Sequence, residues 1–146
     1  GEPPLHPQGT NLSIGTATTL RSGEDLAILC IGPITAEALR AAELVAANGS
    51  RVAVVSMGSV KPLDTDFLDE LAGRCGRWIT LEEHGVIGGL GSAVLEWIAG
   101  TRHAVRLTRM AVPDVFFHEI GDQVFARASL GLDADSICAT IEEALA

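Results

Sequence analysis

The feature that most limits the fold of this chain is the alternation of short apolar runs with amphipathic helical segments. Leu26–Ile31 is a continuous apolar run ended by Gly32-Pro33, which is typical of a strand covered on both faces. Further strands are predicted at 13–20, 52–57, 78–81 and 105–110, and helices at 35–48, from Asp64 or Thr65 to Gly73 or Gly76, at 90–98, and from an Asp133 cap to Leu145. Such alternation predicts right-handed βαβ units.

The predicted fold class is therefore α/β, with a five-stranded, mixed but mostly parallel sheet and helices on both faces. The first short strand is predicted to be an antiparallel edge, since only a tight turn joins it to the next strand. The stretch from 113 to 128 is predicted to be irregular, with a helical turn as the alternative.

The composition limits the partners and the cellular compartment that we expect for this protein. Ten Lys and Arg stand against 19 Asp and Glu, for a net charge of −9, which argues against nucleic acid as a partner. No apolar run reaches the roughly 18 residues of a membrane span, so no membrane partner is expected. Three widely spaced cysteines, Cys30, Cys75 and Cys138, predict reduced thiols in a cytoplasmic protein.

The start of the chain predicts a linker. It begins Gly1-Glu2-Pro3-Pro4 without an initiating Met and is rich in proline through Pro7. A processed or tagged terminus and a cut from a longer polypeptide both fit this start. We predict a linker at 1–12 and one domain at 13–146, excised from a larger protein.

The most informative segment for function is 80–99, TLEEHGVIGGLGSAVLEWIA, which reads as a strand end, an acidic turn and a glycine-rich entry into a helix. The carboxyl ends of strands in open α/β sheets are where ligands or partners bind. The candidate interface or active-site rim consists of Glu82, Glu83, His84, Gly88, Gly89 and Gly91.

The segment permits three chemical interpretations. A dinucleotide fingerprint counted from Gly89 needs a third glycine at position 94, which is Val94, and the chain has no P-loop. His84 with its carboxylate neighbours could serve as an acid/base group. Because no nucleophile accompanies it, a cluster that binds a partner surface or caps the loop is favoured.

Metal binding is not expected. The four histidines, His6, His84, His103 and His118, are far apart and show no ligand spacing. We therefore predict no metal-binding residue in this chain.

The same residues resemble the C-terminal domain of the transketolase family, which includes transketolases, deoxyxylulose-phosphate synthases and the beta subunits of 2-oxo acid dehydrogenases. The resemblance runs from Ile14 onward, and any one motif is weak whereas the ordered set is strong. The matching motifs are Ile14-Gly15-Thr16-Ala17, Leu20-Arg21-Ser22-Gly23-Glu24-Asp25, Cys30-Ile31-Gly32, Val60-Lys61-Pro62-Leu63-Asp64, Glu82-Glu83-His84, Gly88-Gly89-Leu90-Gly91, Val112-Pro113-Asp114 and Gly131-Leu132-Asp133.

Two features of the sequence concern the place of this chain within the family. His84 resembles the transketolase-like branch, since synthases tend to have Asn there and dehydrogenase beta subunits Gly. Phe116-Phe117-His118-Glu119 departs from the family, which has a small or polar run at this place.

The resemblance implies a supporting role. In this family thiamine diphosphate and Mg²⁺ are held by an N-terminal domain, and the catalytic Glu comes from a pyrimidine-binding domain. The C-terminal domain mainly supports assembly and the dimer interface, so the resemblance implies no catalytic and no cofactor-binding residue in this chain. The expected partners are therefore those two domains, fused or as a separate subunit, in a homodimeric enzyme.

The function expected from the resemblance is that of the C-terminal domain of an enzyme that transfers a two-carbon ketol unit between sugar phosphates, with the isolated chain inactive. Two alternatives stay open. One is the same domain of a deoxyxylulose-phosphate synthase or a 2-oxo acid dehydrogenase beta subunit. The other is a stand-alone module that binds an anionic metabolite at the helix N-terminus near Gly89 and Gly91.

Overall fold

The computed structural model describes residues 4–6, 8, 10 and 13–146. Most of the predicted linker at 1–12 lies outside the described residues, and it stays a prediction. In chain order the elements are β1 Thr18–Arg21, β2 Leu26–Ile31, α1 Thr35–Ala46, β3 Val52–Ser56, α2 Thr65–Ala72, β4 Arg77–Gly85, α3 Leu90–Gly100, β5 Arg106–Val112, α4 Gln123–Ser129 and α5 Ala134–Leu145.

The sheet has five strands in the order β1-β3-β2-β4-β5. Strands β3, β2, β4 and β5 run parallel, whereas β1 pairs antiparallel with β3 at the edge. The mixed, mostly parallel sheet and its antiparallel edge are confirmed. However, β1 pairs with β3 although a turn connects it to β2. The turn crosses the start of β3, where the backbone N–H groups of Glu24 and Asp25 both donate to the Arg51 carbonyl at 3.0 Å.

The two faces of the sheet are both covered, and β2 shows how. Leu26, Ile28 and Cys30 pack on one face with α1 and α5. Ala27 and Leu29 point to the other face, where α2 and α3 supply the apolar partners. Successive side chains of a strand alternate between faces, so a strand buried on both sides must be apolar throughout. The predicted helices on both faces are confirmed.

Helix starts were predictable where an aspartate provides the cap. Asp64 accepts a hydrogen bond from Phe67 N at 3.1 Å and Asp133 accepts one from Ser136 N at 3.1 Å, at the first turns of α2 and α5. Thr35 is different, because it is the first residue of α1 and its hydroxyl donates to the Gly32 carbonyl at 2.8 Å.

Two elements differ from the sequence prediction. Strand β4 continues to Gly85, so Glu82, Glu83 and His84 lie on the strand rather than in a turn after it. The stretch from 113 to 128 contains a true helix, α4, whose first turn is capped when Asp122 accepts from Phe125 N at 2.8 Å.

Within the part of the chain that the structure describes, no helix combines the length and the apolar character that a membrane crossing requires.

Candidate functional site

The candidate residues meet at the carboxyl edge of the sheet, where β4 and β5 end and α3 begins. Backbone pairing joins the two strand ends, since Gly85 lies opposite Val112 and the N–H of Val86 donates to the Val112 carbonyl at 2.8 Å. Arg109 Nη1 also donates to the carbonyl of Val86 at 2.9 Å. The loop after β4 is therefore fastened to β5 on one side and leads directly into α3.

Glu82 is the buried centre of this edge, with 1% of its surface exposed. Its Oε2 accepts a hydrogen bond from Leu90 N and its Oε1 accepts one from Gly91 N, both at 2.8 Å. The first N–H groups of a helix have no partner within the helix and carry partial positive charge, so a carboxylate satisfies both needs. Glu82 is thus the N-terminal cap of α3, supplied from eight residues upstream.

Three glycines shape the loop for this cap. Gly88 has φ +83°, a conformation that side chains rarely adopt. At Gly89 a Cβ would overlap the carboxylate of Glu82, and at Gly91 it would lie 2.8 Å from Thr80 Oγ1. The backbone at Gly89 and Gly91 therefore lies very close to neighbouring side chains of this same domain.

Glu83 points to the opposite face of the strand and holds α4. Arg127 forms a bidentate ion pair with it, Nε to Oε1 at 2.8 Å and Nη2 to Oε2 at 3.0 Å, and Gln123 Nε2 donates to Oε1 at 3.0 Å. The hydrogen bond from Arg127 is the main reason that the pKa of Glu83 is lowered from its ordinary value of 4.5. Arg127 is buried, with 7% of its surface exposed, whereas the Glu83 side chain keeps 27% exposed, so it is mainly the arginine that is desolvated.

His84 is the one candidate whose side chain is mostly open to solvent, with 62% of its surface exposed. Its Nδ1 lies 3.2 Å from Glu82 Oε2, so the ring tautomer with a hydrogen on Nδ1 donates to this buried side chain. The ring is therefore oriented by Glu82 while it remains accessible from outside.

The six predicted residues thus lie together at one edge of the sheet, but their structural roles differ. Glu82 and the glycines build the α3 cap and Glu83 fastens α4, whereas His84 faces outward. Whether this loop contacts a partner stays a prediction. What the structure argues against is an anion at this helix start, because the N–H groups of Leu90 and Gly91 already donate to a carboxylate. Among the described residues there is also no group of three or more His, Cys, Asp and Glu side chains that could hold a metal ion.

Sequence reasoning missed a feature beside this edge. After β5, six large apolar side chains are exposed within eleven residues: Val115, Phe116, Phe117, Ile120, Val124 and Phe125. We call them the 115–125 surface. A signal was available in the sequence, because Phe116 and Phe117 are adjacent large apolar residues in a stretch predicted to be irregular.

Comparison with known proteins adds the family. The model of the transketolase C-terminal domain matches residues 15–137. The 1-deoxy-D-xylulose-5-phosphate synthase 1 of Geobacter sulfurreducens is 42% identical over 144 residues, which are 98% of this chain and 22% of that protein. The synthase of Aquifex aeolicus is also 42% identical, over 92% of this chain and 21% of that protein.

A solved structure shares the fold. It is described as "Split gene transketolase, inactive beta4 tetramer", is 36% identical, and superposes with a TM-score of 0.89 over 99% of this chain and 46% of that one. The chain therefore spans about a fifth of the curated relatives named above and less than half of the solved protein. Because the family model matches residues 15–137, this chain belongs to the family of transketolase C-terminal domains.

Proposed function

We propose that this chain is the assembly-supporting domain of a longer, thiamine-diphosphate-dependent enzyme. The proposal rests mainly on the small fraction of its relatives' length that this chain covers. Nearly all of this chain aligns with a synthase of which it covers only 22%. The rest of such a protein has ample length for the domains that bind a cofactor and perform the chemistry.

The site supports a structural role. The carboxylates of Glu82 and Glu83 are both engaged inside the domain, where they fix the start of α3 and the position of α4. These contacts make a rigid edge of fixed shape at the carboxyl ends of the strands. A rigid edge with exposed apolar side chains beside it suits the binding of another protein surface.

For the whole enzyme we propose transfer of a two-carbon ketol unit between sugar phosphates, with thiamine diphosphate and Mg²⁺ bound by the other domains. The enzyme would work as a homodimer in the cytoplasm, where thiols such as those of Cys30, Cys75 and Cys138 stay reduced. His84 and the likeness to a split-gene transketolase support this activity.

A second activity is favoured by a separate observation. The Geobacter and Aquifex relatives, both at 42% identity, are 1-deoxy-D-xylulose-5-phosphate synthases, whereas the solved transketolase is 36% identical. Assays of the purified full-length enzyme for ketol transfer and for formation of 1-deoxy-D-xylulose 5-phosphate decide between the two. Product from only the second assay would replace the ketol-transfer proposal.

The assembly role is tested by deletion. We expect that the full-length enzyme without residues 13–146 loses its native oligomeric state and its turnover, and that residues 1–146 alone show no ketol transfer. Sedimentation velocity measures the first and a coupled enzymatic assay the second. An unchanged oligomer with unchanged turnover after deletion would refute the role, as would measurable ketol transfer by this chain alone.

His84 has its own test, because it is the exposed member of the edge. In the full-length enzyme, His84→Ala should lower turnover if the ring lines the active-site rim. Weaker assembly with unchanged turnover would place His84 in the interface instead. Either result identifies what the exposed ring contacts.

A further inference from the structure

The 115–125 surface is unusual for the exterior of a domain. Phe116 is 89% exposed, Ile120 is fully exposed at 100%, and Val124 is 72% exposed. Scattered apolar residues on a surface need no explanation, but a contiguous cluster of this kind marks an interaction site. Burial of these side chains against a partner would recover hydrophobic free energy that this domain alone forgoes.

The surface is held in place rather than loosely attached. The ion pair between Arg127 and Glu83 joins α4 to β4, and Ser129 Oγ donates to Glu119 Oε2 at 3.0 Å. At Gly121 a Cβ would overlap the Phe125 ring, so the turn into α4 packs closely on that ring. The apolar side chains therefore face outward from a segment whose polar contacts fix it to the domain.

The charge of this segment is one-sided. Between positions 113 and 126 the chain has three carboxylates, Asp114, Glu119 and Asp122, one histidine, His118, and no Lys or Arg. Glu119 and Asp122 also accept hydrogen bonds from Ser129 and from the Phe125 N–H. A second copy placed face to face would bring three carboxylates against three, and like charges across an interface are unfavourable. The fitting partner is an apolar patch with a basic rim.

We propose that the 115–125 surface docks onto such a basic-rimmed apolar patch in the upstream domains of the same polypeptide chain, or in the upstream subunit if the enzyme is split. The occupant follows from length, since about four-fifths of a synthase relative lies outside the region aligned here. The surface also adjoins the loop after β4. The N–H of Val86 in that loop donates to the carbonyl of Val112, the last residue of β5, and the 115–125 surface begins three residues later. The inference rests on the proposed assembly role and assigns the surface that performs it.

The test compares two phenylalanines in one protein. Hydroxyl-radical labelling of the full-length enzyme should modify Phe116 more slowly than the half-buried Phe67 on α2, although Phe116 is far more exposed in this domain. Faster labelling of Phe116 than of Phe67 would overturn the inference. The assembly role would still be judged separately, by deletion of residues 13–146.

Dilution of the full-length enzyme shows which part of it covers the 115–125 surface. If the protection of Phe116 persists when the enzyme is diluted to single full-length chains, the upstream part of the same chain covers it, as proposed. For a split enzyme the same experiment is done on the complex of the two different subunits. Protection that disappears when identical copies separate would assign the surface to a second copy and overturn the inference.

Substitutions test the chemistry of the contact. Ile120→Ser should raise the labelling of Phe116 at least threefold in the full-length enzyme, whereas Leu44→Ser, at an exposed apolar position of α1, should not. Asp114→Lys should raise it at low salt, and Asp66→Lys on α2 is the matched control. Labelling that Asp114→Lys leaves unchanged would overturn the basic rim.

Discussion

Replacement of Glu82 by glutamine tests whether this buried carboxylate is an internal helix cap. The substitution keeps the shape of the side chain but leaves one oxygen as an acceptor. The NH₂ group must then face one of two backbone N–H groups, that of Leu90 or that of Gly91, each now 2.8 Å from a carboxylate oxygen. The weaker neutral cap also loses its interaction with the helix dipole.

The expected loss follows from these contacts. A hydrogen bond to a charged group contributes about 1.5–3 kcal/mol, and a buried donor left without an acceptor costs about 1–3 kcal/mol. Since Glu82→Gln removes one bond of the two and weakens the other, we expect the free energy of unfolding to fall by about 3 kcal/mol. That is a large share of the roughly 5–15 kcal/mol by which domains are stable.

Urea unfolding at neutral pH measures this loss. The matched control is Glu96→Gln, an exposed acid on α3, which should change the free energy of unfolding by less than about 0.5 kcal/mol. A loss no larger than that of the control would refute the cap. It would mean that the energy of these hydrogen bonds is recovered elsewhere and that the carboxylate is retained for another purpose.

The other predictions concern the neighbours of Glu82. Glu83 has a pKa lowered below 4.5 by the hydrogen bond from Arg127, so its stabilising contribution is complete above that value and is lost as the pH falls through the lower folded-state pKa. The difference in unfolding free energy between wild type and Glu83→Gln should therefore shrink between pH 7 and about pH 3, and a difference that stays constant would contradict the pairing. Gly89→Ala places a methyl group against the Glu82 carboxylate and should cost about 1–3 kcal/mol, whereas Gly85→Ala meets nothing within 4 Å and should be nearly neutral. Equal thermal midpoints for the two alanine variants would show that the loop relaxes freely.

Much of this fold was predictable because its signals are local. Strand β2 is apolar at every position, as a strand covered on both faces must be, and Asp64 and Asp133 stand three residues before the N–H groups they cap. The helix α4 had such a signal too, in Asp122 and its bond to Phe125 N, but the irregular sequence around it obscured the cap.

The remainder depended on contacts between distant parts of the chain. Strand β1 pairs with β3 rather than with β2, its neighbour in sequence. Glu83 forms its ion pair with Arg127, which lies 44 residues further along the chain. The consecutive polar residues that begin at Glu82 predict a turn. The Glu82 side chain is nevertheless buried, because the first N–H groups of α3 donate hydrogen bonds to it. The candidate residues could thus be located from sequence, while their internal hydrogen bonds could not.

The intact mass of the native protein shows whether this chain is one domain of a larger enzyme. Mass spectrometry of the complex purified from its own cells should show these residues within a polypeptide of about 70 kDa, or of about half that mass bound to a partner subunit of similar size. A lone species of 15.2 kDa without a partner would contradict the account.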